Sequence, residues 1–116
     1  MTYPQPSAVG ISQGETVSRT FLWALDGIPV DVTGYAAHLQ VRARTASPDT
    51  LLDLSTQNGG LTLGGTAGTI ELRIDAETTA QLPAIACVFS LEMTSGGGDV
   101  TPLVSGPFEV RAEVTR

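Results

Sequence analysis

A chain of 116 residues that is 41% hydrophobic and only 16% charged is too apolar for disorder. It is long enough for one domain, whose core would cover roughly 65% of the unfolded surface. The net charge is −6 and every one of the 6 cations is arginine. Scattered arginines on an acidic chain make no basic stripe, so nucleic acid is not expected as a partner. No apolar run approaches the ~18 residues that cross a membrane, and no basic-plus-apolar leader follows Met1. No membrane partner is expected, and synthesis in a reducing compartment is.

MTYPQPSAVG, the first stretch, carries Pro4 and Pro6 and no charge, which favours an extended conformation with few ladder bonds. Residues 1–13 are therefore expected to be an extended N-terminal arm, either a loose tail or a reach onto a neighbour anchored by Tyr3. Residues 14–116 are expected to form a single domain. In TVSRTFLWA, Val17, Phe21 and Trp23 share a face that Arg19 interrupts. Asp26–Gly27 is a hairpin signal, and Pro29 keeps the segment after it irregular or at an edge. Asp31 to Tyr35 reads as a turn into a strand where Ala37, Leu39, Val41 and Ala43 alternate with His38, Gln40, Arg42 and Arg44.

After a loop over 43–50, LLDL is a short strand. The glycine-rich NGGLTLGGTAG then leads into the alternating strand TIELRI. DAETTAQLP predicts a short helix capped by Asp75, favoured by Glu77 in its first turn and stopped by Pro83. Ala86 to Thr94 is a strand with Cys87, Phe89, Leu91 and Met93 on one side, and Ser95 to Asp99 is a hairpin tip. The last strand is expected over Thr101–Val114, bent near Gly106–Pro107. Short strands joined by turns, with one short helical turn, predict an all-β chain. The expected fold is an antiparallel immunoglobulin-like β-sandwich of about seven or eight strands, with a small barrel as the alternative.

The glycine run asks whether it cradles a phosphate. A phosphate loop of that kind needs a lysine and a following helix. The chain has no lysine, and a strand follows Gly68. The glycines are instead expected as reversals around LTL, with room for close approach of a neighbouring subunit. One histidine and one cysteine cannot make a zinc site. Asp26 and Asp31 bracket a turn but lack the spacing of a calcium loop. His38 falls on a solvated face, and no serine sits in a nucleophile-elbow setting. No catalytic, metal or cofactor residues are assigned, and the chain is not expected to be an enzyme. The candidates for a partner interface are Tyr3, Pro4 and Pro6 in the arm, with Trp23 and Tyr35. Trp23 is open to two readings, core packing or contact anchor.

The segment GETVSRTFLWALDGIPVDVTGYAAHLQVR resembles a pattern in small virion structural proteins of tailed bacteriophages. There a G-[DE]-T opening, here Gly14–Thr16, leads to a strand ending in aromatic and apolar residues, here Thr20–Trp23. D-G-x-P-V-D-[VL]-T-G follows as Asp26–Gly34, and Q-V-R closes a strand as Gln40–Arg42. Gly59–Gly65, Ala67–Ile74 and Gly106–Arg116 look similar to the same group. The chain is also similar to the N-terminal domain of phage baseplate upper proteins, through the phrase V-D-L-T-G. The resemblance implies a virion protein made in the host cytoplasm, a tail or baseplate assembly module that binds other virion structural proteins. It also implies a homo-oligomer, with a trimer among the options. Two alternatives stay open: a capsid decoration (cement) protein stabilising the major capsid shell, and a carbohydrate- or host-surface-binding module.

Overall fold

The computed structural model describes residues 8–113, and the chain over that range is mostly β. The strands are β1 (Val9–Ser12), β2 (Val17–Leu22), β3 (Ala24–Leu25), β4 (Ile28–Pro29), β5 (Ala36–Arg42), β6 (Leu52–Ser55), β7 (Leu61–Leu63), β8 (Thr69–Ile74), β9 (Ala86–Thr94) and β10 (Val100–Arg111). They form a five-stranded sheet in the order β1-β10-β9-β5-β6, a three-stranded sheet β2-β8-β7, and the two-residue hairpin β3-β4. One hydrophobic cluster joins both larger sheets. Phe21 of β2 meets Phe89 of β9 at 6.1 Å between ring centroids, and Phe89 meets Phe108 of β10 at 6.2 Å.

The alternation read from the sequence places the core side chains. Ala37, Leu39 and Val41 of β5, and Cys87, Phe89, Leu91 and Met93 of β9, are all buried. The helix α1 (Ala76–Ala80) forms where its signals predict it. The Asp75 carboxylate accepts from the Thr78 N–H at 2.8 Å, and Pro83 lies just beyond its end. The hairpin at Asp26–Gly27 has positive φ at both residues, +52° and +79°, as a two-residue turn of this hand requires.

Two expectations are corrected. The sheet is not purely antiparallel, because β1 runs parallel to β10 with Val9 opposite Phe108 and Ile11 opposite Val110. Val9 and Ile11 are apolar at alternate positions and bury against the end of the long last strand, which draws residues 9–12 into the sheet. The irregularity in β10 falls between Pro102 and Val104 rather than at Gly106–Pro107. One extra residue there lets Leu103 and Val104 both point inward. Pro107 stays in the ladder opposite Val88, at a position where the missing N–H faces away from β9.

The glycine-rich stretch becomes β7 and a turn of 3₁₀ helix, Gly65–Ala67, packed under the β3–β4 hairpin. Trp23 donates its N–H to the Gly68 carbonyl at 2.8 Å, and Val32 donates to Gly65 at 3.0 Å. A Cβ on Gly68 would stand 2.7 Å from the Trp23 carbonyl and 2.9 Å from that of Val30. Close approach is therefore the reason for this glycine, and the approaching backbone belongs to the same chain.

Candidate interaction surface

The segment DGIPVDVTG builds a small projection from its own turn chemistry. After the Asp26–Gly27 reversal, Leu25 pairs with Ile28 and Ala24 with Pro29. Asp31 then accepts from the Thr33 N–H at 2.9 Å, and Tyr35 donates to the Val32 carbonyl at 3.0 Å across Gly34, whose φ is +81°. Hydrogen bonds from Thr33, its hydroxyl before its N–H, hold the Asp31 carboxyl below its ordinary range. The projection carries Leu25 and Ile28 into solvent, Ile28 being 69% exposed, and Leu22 at the end of β2 is exposed as well. These apolar side chains on one turn make the hairpin the candidate contact surface of the described residues.

The sequence candidates fall on both sides of this feature. Tyr3, Pro4 and Pro6 lie outside the described residues. Trp23 and Tyr35 are brought together edge-to-face, 5.8 Å apart at 87°, at the base of the projection. Trp23 is 6% exposed and belongs to the core, and Tyr35 packs partly buried against it. The Trp23 Nε1–H has no acceptor among the described residues. The side chains that reach solvent, Leu22, Leu25 and Ile28, were not singled out from the sequence. Two apolar residues flanking D-G on a two-residue hairpin were the available signal, because so short a hairpin has no second layer to bury them.

The five-stranded sheet carries a second feature, an open hollow of ≈ 500 Å³. Gln40, Arg42, Thr45, Ser90, Ser105 and Gly106 line it together with the apolar Val88 and Phe89. His38 Nε2 lies 2.7 Å from Asp53 Oδ1, and Gln40 donates to Asp53 Oδ2 at 3.1 Å. The Gln40 bond, ahead of that from His38, lowers the Asp53 pKa from its ordinary 3.8. Arg42 is committed to structure: it donates to the carbonyls of Ser47 and Pro48, both at 3.0 Å, and to Gln40 Oε1 at 3.1 Å. These bonds fold the 43–50 loop down beside the sheet. Among the described residues no three or more His, Cys, Asp or Glu side chains gather as a metal site would. No described helix is long and apolar enough to cross a membrane.

Fold and surface together define the class: a mostly β domain, two sheets around one core, that presents an apolar hairpin. No protein-family model matches the chain, and no curated protein matches it in sequence. Among solved structures it is similar to the N-terminal domain of phage TP901-1 ORF48. That similarity has a TM-score of 0.60 at 9% sequence identity, over 90% of this chain and 84% of that one. At that identity the likeness is one of fold.

Proposed function

We propose that this chain is a non-enzymatic virion structural protein of a tailed phage, an assembly module of the tail or baseplate that binds neighbouring virion proteins. The observation that carries the reading is the coincidence of two likenesses. The motif resemblance runs through Asp26–Gly34, and those residues supply the turn and second strand of the exposed Leu25–Ile28 hairpin, on a fold similar to that of a phage domain. An apolar projection on a small β domain is what an adaptor presents to a larger assembly.

The same reading takes the two sheets as an immunoglobulin-like sandwich. What supports it is the division of the strands into β1-β10-β9-β5-β6 and β2-β8-β7 around one core. The N-terminal arm, with Tyr3, Pro4 and Pro6, remains a second contact in this proposal.

Mass spectrometry of purified particles tests it. The protein is expected in mature virions at a few to tens of copies. Its absence overturns the reading, and hundreds of copies per particle replace tail or baseplate with capsid decoration. The carbohydrate alternative loses its largest stacking ring, because Trp23 is buried.

A further inference from the structure

A sheet edge presents unpaired N–H and C=O groups, and natural β proteins blunt such edges with prolines, side-chain plugs or short strands. This chain does so at nearly every edge among the described residues. On β1 the outward groups belong to Gly10 and Ser12. Arg19 Nη2 donates to the Gly10 carbonyl at 3.1 Å, and the Ser12 N–H donates to Glu15 Oε1 at 2.7 Å. On β6 one side chain plugs two of the outward groups: Asn58 donates to the Asp53 carbonyl at 3.0 Å and accepts from the Ser55 N–H at 2.9 Å.

The stretch of β10 that β1 does not cover carries Pro102 and Pro107, opposite Glu92 and Val88, where neither ring leaves an N–H for the open side. β7 is only 3 residues long.

The exception is β2. Its ladder to β8 uses Val17, Arg19 and Phe21, in phase with the Trp23 N–H bond to Gly68, so Ser18, Thr20 and Leu22 point their backbone groups outward. Among the described residues only the Ser18 carbonyl has a partner there, an exposed Arg19 Nη1 at 3.1 Å. β2 contains no proline and no bulge, and the exposed side chains of Ser18, Thr20 and Leu22 carry no charge.

We propose that β2 pairs edge to edge with β2 of a second copy, antiparallel about a two-fold axis through Thr20. The partner is a second copy because this edge is complementary to itself. Centring on Thr20 sets Ser18 opposite Leu22 of the other strand, twice, and all three outward residues find partners at once. Centring on Ser18 or Leu22 leaves part of the edge open. The residues that face each other across this axis, Ser18, Thr20 and Leu22, carry no charge, so in a chain of net charge −6 no two carboxylates are paired across the seam. The product is a continuous sheet running β7-β8-β2 into β2-β8-β7 of the partner, an isologous interface that closes on itself. Arg19 gives up its exposed Ser18 bond and keeps the one to Gly10.

The pairing stands on edge geometry and not on the virion reading, so each can fail alone. Hydrogen-bonded antiparallel residues lie about 5.5 Å apart at Cα, inside the ~4.4–6.8 Å window of a disulfide. Thr20→Cys should therefore give a covalent dimer under mild oxidation of the full chain, and Thr62→Cys on β7 should not. Cys87 is buried and does not compete.

By analytical ultracentrifugation the unmodified chain is expected to dimerise. Thr20→Lys, which sets two like charges face to face, is expected to weaken dimerisation about 10-fold or more while its circular-dichroism melt stays close to that of the parent. A chain that stays monomeric to millimolar concentration overturns the proposal. So does a dimer that Thr20→Cys fails to cross-link or that Thr20→Lys leaves intact.

Discussion

The guanidinium of Arg19 donates to the carbonyl of Gly10 at 3.1 Å, bridging from the edge of the three-stranded sheet to the edge of the five-stranded one. Arginine had looked like an interruption of the apolar face of β2. Its position is explained by the carbonyl it satisfies: β1 is an edge strand, and the Gly10 carbonyl would otherwise have no partner on that side. Arg19→Met keeps most of the stem and removes the donors. It should cost about 1–2 kcal/mol, measured by urea denaturation, with amide exchange accelerated over residues 9–12.

Gly68 and Gly59 both have positive φ, +70° and +84°, but only Gly68 faces backbone atoms within 3.0 Å of an added Cβ. Gly59→Ala should carry only the conformational cost, about 1 kcal/mol. Gly68→Ala must also push away the Trp23 and Val30 carbonyls, so its loss should exceed that of Gly59→Ala by about 1–3 kcal/mol. Thermal melts of the two variants side by side give the difference, and equal melts would remove the close-approach explanation.

Trp23 separates packing from polarity. Trp23→Phe keeps most of the ring against Tyr35 and deletes an N–H that has no acceptor among the described residues, so it should cost less than about 1.5 kcal/mol. Trp23→Ala should cost about 3–5 kcal/mol. A large loss for Trp23→Phe would mean that the Nε1–H has a partner.

Three carboxylates set the acid limit. Asp31, Asp53 and Asp75 are each held below 3.8 in the folded chain, chiefly by hydrogen bonds from Thr33, Gln40 and Thr78 respectively. Near and below pH 3.8 the unfolded chain binds more protons than the folded one at these sites. The stabilisation they give is present above that pH and is lost as pH falls through the lowered folded values. The melting temperature should drop from pH 5 toward pH 2. Asp75→Asn, which still caps α1, should flatten that slope without abolishing it.

Leu25 and Ile28 should matter for assembly and little for stability. Leu25→Ser with Ile28→Ser should leave the chain folded, with each exposed substitution worth about 0.5 kcal/mol or less. Incorporation into particles, read by quantitative mass spectrometry, should fall. Undiminished incorporation would move the contact off this hairpin.

The elements that sequence reading located were those whose signals are local. The Asp75 cap, the Asp26–Gly27 turn, and the alternation through β5 and β9 each need only neighbours a few residues away. Two features depended on distant chain. Val9 and Ile11 join the sheet because Phe108 and Val110 await them, and nothing within the first 13 residues says so. The bulge at Leu103 was hidden because LV in sequence does not reveal that both side chains turn inward, whereas Gly106–Pro107 advertised a bend the ladder did not need. The candidate contact surface was half legible. Aromatic residues drew attention to Trp23 and Tyr35, which build the base of the projection, while the exposed leucine and isoleucine carry its tip.

The parallel pairing of β1 with β10 also orders events in time. Val9 seats against Phe108, and the Gln13 N–H donates to the Arg111 carbonyl at 2.9 Å, so almost the whole described chain lies between the partners. On a ribosome, β2 through β9 can collapse as they emerge, but β1 has nothing to pair with until β10 has been made. Closing that long loop is slow compared with forming hairpins. Until it closes, Val9 and Ile11 are exposed to whatever else is being synthesised nearby, and the nascent chain is most open to capture by a chaperone or by a sister copy.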